Sequence, residues 1–291
     1  LLSVVPGTGA VAGAALVAHP DVRKISFTGG TATGRAIGRI AADKLMHVTL
    51  ELGGKSPTIV FADADLDLAL AGVLFGVFSS TGQSCIAGSR LFVQRSVYDA
   101  FVERLVAAAE RLRIGHPFEA ATQIAPLIHE RHREEVENHV RRAREDGGML
   151  LSGGVRPRGA IYDKGVYFTP TIFAGLPNSS RLCREEVFGP VLAVLPFDDE
   201  EDVVAQSNDN EYGLACGIYT ADFKKAWRLA RAIEAGTVWI NTYKQFSIST
   251  PFGGLKDSGL GREKGRAGVR AWMAQKSIYL DLTGEPHPWA A

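Results

Sequence analysis

The chain has 291 residues, 46% of them apolar, enough for a large core and for two domains. Thirty-two basic residues balance thirty-two acidic ones, so no overall field favours nucleic acid or an acidic membrane, and no apolar run is long enough to span a bilayer. The three cysteines, at 85, 183 and 216, form neither a disulfide framework nor a metal-ligand pairing and suit a reducing, cytoplasmic setting.

The opening Leu1-Leu2-Ser3-Val4-Val5 lacks Met and any signal-peptide pattern. It reads as a strand entered partway through a fold, which points to residues upstream. Apolar spacing then predicts a helix over Val11–Ala18, a strand over Val22–Phe27, a helix from Ala32 to Asp43 and a strand over Met46–Leu52. That alternation implies a parallel sheet. Gly7-Thr8-Gly9-Ala10-Val11-Ala12 matches a dinucleotide fingerprint in outline but lacks the acidic residue at the end of a second strand, so a plain β–α turn is expected. Thr28-Gly29-Gly30-Thr31 joins strand to helix, either as an anion-binding helix start or as a tight turn. Glu51-Leu52-Gly53-Gly54-Lys55 sets a carboxylate at a strand end, where it is either a desolvated general base or a surface partner of Lys55.

Pro57–Phe61 reads as a strand, and Asp63-Ala64-Asp65 caps a helix over Leu66–Phe78. Thr81-Gly82-Gln83-Ser84-Cys85-Ile86-Ala87-Gly88-Ser89-Arg90 follows, one cysteine among small and polar residues. A nucleophilic thiol needs such a turn, with backbone N–H groups near enough to lower its pKa and hold an oxyanion; a small buried hydrophobe is the other reading. Next come a strand over Ser89–Gln94, a helix capped by Ser96 and reaching Arg113, a charged helix over Glu130–Asp146 and a loop over Gly147–Tyr162. His129 and His132 lack zincin spacing, so no metal site is assigned. Strands are expected over Val166–Phe173, Val191–Phe197, Cys216–Tyr219 and Thr237–Ile240, with helices from Asp198-Asp199 to Ser207 and over Ala221–Glu234. In Glu185-Glu186-Val187-Phe188-Gly189-Pro190, extended chain would put Glu186 and Phe188 on one side, as a ribose clamp or a plain corner. Pro251–Gly261 is a Gly-rich loop, Arg262–Met273 a short helix, Lys276–Leu282 a strand and Pro286–Ala291 a frayed end.

Taken together, Phe27-Thr28-Gly29-Gly30-Thr31, Glu51-Leu52-Gly53-Gly54-Lys55, Gly82-Gln83-Ser84-Cys85, Glu186-Val187-Phe188-Gly189-Pro190 and Pro251-Phe252-Gly253-Gly254-Leu255-Lys256-Asp257-Ser258-Gly259 stand in one order. Their series closely resembles the NAD(P)-dependent aldehyde dehydrogenase superfamily over nearly the whole chain. The resemblance implies an α/β fold: the C-terminal part of a Rossmann-like coenzyme domain (1–52), an α/β catalytic domain (53–260), and a C-terminal helix, oligomerisation strand and tail (261–291). It implies Cys85 as nucleophile and Glu51 as the base that hydrolyses a thioester. Gly29, Gly30, Leu52, Glu186 and Phe188 are implied to bind NAD or NADP. The family often has asparagine where Ser80 stands and serine where Gly30 stands. Phe78, Phe246 and Phe252 are candidate pocket aromatics. Lys244 and Gln245 fall near the expected mouth; a cation there favours an acidic aldehyde, while a solvated lysine is the simpler reading. The expected partners are a small-molecule aldehyde and further copies of the chain, as homodimer or homotetramer, with neither nucleic acid nor membrane. The expected chain is a truncated piece of a longer enzyme. A non-catalytic subunit and a coenzyme A-acylating semialdehyde dehydrogenase are the alternatives, the latter disfavoured by Glu51.

Overall fold

The computed structural model describes residues 2–285 and Trp289. Its elements are α1 (Ala14–Ala18, preceded by a π-helical turn, Gly9–Gly13), β1 (Lys24–Thr28), α2 (Thr31–Asp43), β2 (His47–Glu51), β3 (Pro57–Val60), α3 (Leu66–Phe78), β4 (Arg90–Gln94), α4 (Tyr98–Glu110), α5 (Glu130–Glu145), β5 (Met149–Ser152) and β6 (Thr171–Ala174). They continue with α6 (Arg181–Arg184), β7 (Val191–Phe197), α7 (Glu200–Asn208), β8 (Tyr212–Gly213), β9 (Ala215–Tyr219), α8 (Phe223–Ala232), β10 (Thr237–Ile240), β11 (Leu255–Lys256), β12 (Gly259–Leu260) and α9 (Gly265–Arg270). The fold is α/β, as the alternation of periods implied. Among the described residues no helix is long and apolar enough to cross a membrane.

The larger sheet runs β10-β9-β3-β4-β7-β6-β5, parallel except for β5 at its edge. Alternate side chains enter different cores. Ile59, Phe61, Phe92, Ala193 and Leu195 join Val136 and Val140 of α5 and Leu229 of α8. Val60, Leu91, Val93, Leu192 and Val194 join Val73 of α3 and Phe101 and Leu105 of α4. Both faces are covered, which is why these strands read as unbroken apolar runs.

The smaller sheet, β1-β2-β12, has two parallel strands and a short antiparallel third. Its register pairs Lys24 with His47, Ser26 with Thr49 and Thr28 with Glu51. One face is therefore polar. The other packs Phe27, Leu50 and Leu52 against Val17 of α1 and Ile37 of α2.

Several expectations fail for identifiable reasons. Leu2–Val5 forms no strand, since no described strand pairs with it, and the Gly7–Ala12 segment therefore enters its helix from a turn. Leu1 lies outside the described residues, as does the expected frayed end apart from Trp289. Val166–Phe173 shortens to Thr171–Ala174, because Pro170 has no N–H to offer a ladder. Within the expected 147–162 loop, Met149–Ser152 forms a strand antiparallel to β6, with a register shift between Leu150 and Ser152. Ser96 lies in a 3-10 turn, Arg95–Val97, and caps nothing. Arg262–Met273 is helical only over Gly265–Arg270. Lys276–Leu282 alternates like a strand but has no ladder partner among the described residues, leaving Ile278, Leu280 and Leu282 exposed.

Candidate active site

Glu51 is the last residue of β2, on the polar face of the small sheet. It is buried, and neither carboxylate oxygen has a hydrogen-bond partner among the described residues. Burial, then the nearby Glu263 charge, push its pKa up to about 8, against smaller opposing effects of Arg262 and Lys264. The surface pair with Lys55 does not form. Lys55 is itself buried, and its ammonium, likewise without a hydrogen-bond partner among the described residues, is lowered to about 8 by desolvation.

Cys85 lies in the loop between α3 and β4. Ser80, Thr81 and Gly82 all have positive φ (55°, 56° and 68°), so the chain reverses in a left-handed turn before the cysteine. The turn is held from outside: Thr81 Oγ1 donates to the Ala125 carbonyl, and Gln83 Oε1 accepts from the Ile128 N–H at 2.9 Å. A side chain at Gly82 would meet the Gly189 carbonyl oxygen at 2.2 Å, so only glycine lets the two loops touch. Beyond the cysteine, the buried Tyr243 hydroxyl donates to the Ile86 carbonyl at 3.1 Å. Arg90, 1% exposed, then pins the loop's far end, donating to the carbonyls of Lys55, Gln206 and Ser207 and to Asn178 Oδ1.

The thiol is free and half-buried. Contrary to the expectation of a lowered pKa, burial and the charges of Glu186 and Glu51 hold it above the ordinary value; the N–H groups of Ile86 and Cys85 itself pull the other way but less strongly. Near neutral pH Glu51 is largely protonated, which removes much of its opposition to a thiolate.

Gly53 and Gly54 join these parts. A Cβ at Gly54 would lie 2.3 Å from the Cys85 carbonyl oxygen, and one at Gly53 would lie 2.4 Å from Glu186 Oε2. The Gly54 N–H donates to Glu186 Oε1 at 3.1 Å. Glu186 is raised by burial and partly relieved by that hydrogen bond and by Lys55. Glu185 turns away to a two-pronged pair with Arg142. Phe188 does not share a side with Glu186 in the expected manner: its φ of +51° breaks the extended geometry, and its exposed ring packs on His132, 6.1 Å between centroids.

Gly29 and Gly30 lie at the start of α2. The Gly29 N–H is used by the Glu51 carbonyl, whereas Gly30 opens the helix with no side-chain cap and nothing within 4 Å of its Cβ position. An exposed, uncapped helix start fits a phosphate, and a half-buried carboxylate at Glu186 fits a ribose diol, so the residues present suit a nicotinamide dinucleotide. Leu52 points into the core instead, against the Cα of Gly34. His129, considered above as a ligand, accepts the His132 N–H as the cap of α5.

Ser258, fully buried, was missed in the sequence. Its hydroxyl donates to the Gly53 carbonyl at 2.7 Å and accepts from the Gly213 N–H at 3.0 Å, while its carbonyl accepts from the Leu52 N–H. It ties the end of β2 to β8, which pairs antiparallel with β11 in a separate two-stranded sheet and leads directly into β9. It falls inside the Pro251–Gly259 motif that carries the resemblance, but no local pattern gives it a role. Phe246 and Phe252 stack edge to face, 5.5 Å apart, in the wall of a cavity of about 420 Å³. Phe78 does not join them, being buried beneath α3 in the main core.

The arrangement brings a thiol, a neutralisable carboxylate and an exposed, uncapped helix start to one strand end. Residues 1–278 match the sequence model of the Aldehyde dehydrogenase family. Betaine aldehyde dehydrogenases of Brucella melitensis biotype 2 and Brucella ovis are each 45% identical over 289 residues, covering 99% of this chain and 59% of their own length. The chain thus spans 59% of the length of these relatives. An aldehyde dehydrogenase from Bacillus cereus, solved as its NAD+ complex, superposes with a TM-score of 0.93 at 41% identity, over 96% of this chain and 56% of that one. A putative aldehyde dehydrogenase from Burkholderia cenocepacia gives 0.95 at 43% identity, over 98% and 58%.

Proposed function

The chain belongs to the aldehyde dehydrogenase family, and from that premise we propose that the protein carrying it oxidises an aldehyde to a carboxylic acid with NAD+ or NADP+. The observation that supports this best is the meeting of Cys85, Glu51 and Glu186 around Gly53 and Gly54. In this reading the Cys85 sulfur adds to the aldehyde carbon and gives a thiohemiacetal, its alkoxide facing backbone N–H groups of the loop. The bound coenzyme supplies the hydride acceptor. Loss of hydride leaves a thioester on Cys85. Glu51, once deprotonated, takes a proton from water; the hydroxide adds to the thioester carbonyl, and Cys85 leaves as thiolate. Gly30 would hold the coenzyme's phosphate and Glu186 its ribose, with Phe188 at the open side. Leu52, packed on Gly34, supports the coenzyme bed from beneath.

The domain division at 52 and 260 belongs to the same reading, as does a cytoplasmic location consistent with three unpaired cysteines. So does self-association through 276–282, where Ile278, Leu280 and Leu282 alternate in sequence and are exposed. Replacing Cys85 with Ala is expected to abolish aldehyde-dependent NAD(P)H formation, by roughly 10³-fold or more. Glu51→Gln is expected to keep a single burst of NAD(P)H and stall afterwards. Unchanged steady turnover in Cys85→Ala overturns the assignment.

A further inference from the structure

Lys244 sits in an unusual place for a lysine. Tyr243 before it is buried, with its hydroxyl on the Ile86 carbonyl, and the Gln245 carbonyl after it accepts from Trp239 Nε1 at 2.7 Å. Held on both sides, Lys244 adopts φ +56°, a conformation that non-glycine residues keep only where the surroundings impose it. Its ammonium turns inward and donates to Ser79 Oγ at 2.7 Å, six residues before the cysteine. It also lies 5.7 Å from the Phe75 ring centre. The side chain is half-buried, and among the described residues no carboxylate pairs with it. Desolvation lowers it to about 8, an effect that a thiolate at Cys85 opposes.

A second ammonium lies near Glu51, close enough for its charge to oppose the rise in that carboxyl's pKa. Lys264 Nζ lies 4.2 Å from the Phe246 ring centre and 5.4 Å from that of Phe252. These rings, with Trp239, wall the cavity described above, and Phe252 and Cys85 pack on one small apolar cluster. Aromatic faces of this kind attract cations. Here they already hold one, the Lys264 ammonium.

We propose that the aldehyde taken by this site bears a carboxylate at its far end, drawn by Lys244 and Lys264, and that a trimethylammonium aldehyde is disfavoured. The inference rests on the aldehyde-oxidising reading and adds the substrate class to it. It departs from what the names of the Brucella relatives suggest, through specific like charges rather than through pocket size. A partly desolvated ammonium meeting a carboxylate gains a charge-assisted hydrogen bond, whereas a quaternary ammonium gains only repulsion.

The test uses the protein carrying this chain and three aldehydes of one backbone length: butanal, 4-oxobutanoate and 4-trimethylammoniobutanal. The expected kcat/KM order is 4-oxobutanoate first and the cationic aldehyde last. Lys244→Ala should lower the ratio of 4-oxobutanoate to butanal by roughly tenfold. Lys244→Arg should keep most of it, and Lys244→Glu should reverse the order of the two charged aldehydes. Butanal turnover in each variant reports that the site has folded. Oxidation of butanal with a charge preference that none of these variants moves overturns this inference alone. Failure of the unmodified protein to oxidise any aldehyde overturns the reading beneath it, and this inference with it.

Discussion

The seven-stranded sheet has an apolar core on each face, while the three-stranded sheet has one small cluster of four buried apolar side chains and a polar opposite face. The proposed nucleophile hangs from the first and the proposed base from the second. Their relative position therefore depends less on either core than on the joint between them, made by Gly53, Gly54, Ser258 and the β2–β12 pairing. A catalytic pair divided in this way is aimed by a few short contacts.

The sharpest contrast should appear in amide exchange of this chain. Local opening follows buried contact, so amides of β3, β4, β7 and β9 should exchange only on global unfolding, and those of α1 and β1 through small local openings. A difference of several kcal/mol, or roughly 10³-fold in protection, is expected by mass spectrometry or NMR. Equal protection would mean that the sheets unfold as one unit.

The joint can be broken directly. Gly54→Ala forces a methyl group to within 2.3 Å of the Cys85 carbonyl oxygen, a backbone atom that cannot yield without moving the nucleophile loop. Displacement of about 1 Å is worth roughly 10²-fold in rate, so kcat/KM should fall by about that factor, with a stability loss of about 1–3 kcal/mol. Full activity would show that the loop position is not set by Gly54. Ser258→Ala removes one hydroxyl and leaves the Gly53 carbonyl and the Gly213 N–H without their partner. About 1–3 kcal/mol of stability should be lost in denaturant titration. Activity should fall more modestly, roughly tenfold, since β12 still pairs with Glu51.

The same contrast explains what the sequence made legible. The large sheet was readable because both faces are covered, so apolar runs such as Leu91–Val93 and Val191–Leu195 stand out against polar turns. The expected motifs were readable because glycines and a lone thiol are rare enough to mark position. Ser258 and Arg90 escaped notice because their importance lies in contacts with distant backbone carbonyls, a property with no local pattern. The raised thiol at Cys85 escaped for a similar reason: burial, together with two carboxylates more than thirty residues away on either side, outweighs the loop's own N–H groups. Phe188 was misplaced because a period of two holds only in extended chain, and its positive φ ends that extension. The Lys276–Leu282 pattern needs a partner strand that no described part of this chain supplies.

The smallest effect expected is also the most diagnostic of the small sheet's polar face. Glu51 is buried without a hydrogen-bond partner among the described residues, and its carboxyl titrates near 8 in the folded chain instead of near 4.5 when unfolded. The folded state therefore favours the protonated form. As pH rises from the unfolded value to about 8, unfolding becomes progressively easier, and above about 8 the cost is constant. Glu51→Gln removes this cost while keeping the shape. The variant should gain stability over the unmodified chain, by about 1 kcal/mol after allowance for partial solvent access, with the gain growing between pH 5 and 8 and flat beyond. Turnover limited by thioester hydrolysis should run the opposite way, rising with pH and levelling above about 8 as Glu51 becomes a base. A stability difference that stops growing at the pH where the rate profile is half-complete would tie both to one carboxyl; a stability difference independent of pH would show that Glu51 is already ionised in the folded chain, and that its burial is offset by Arg262 and Lys264.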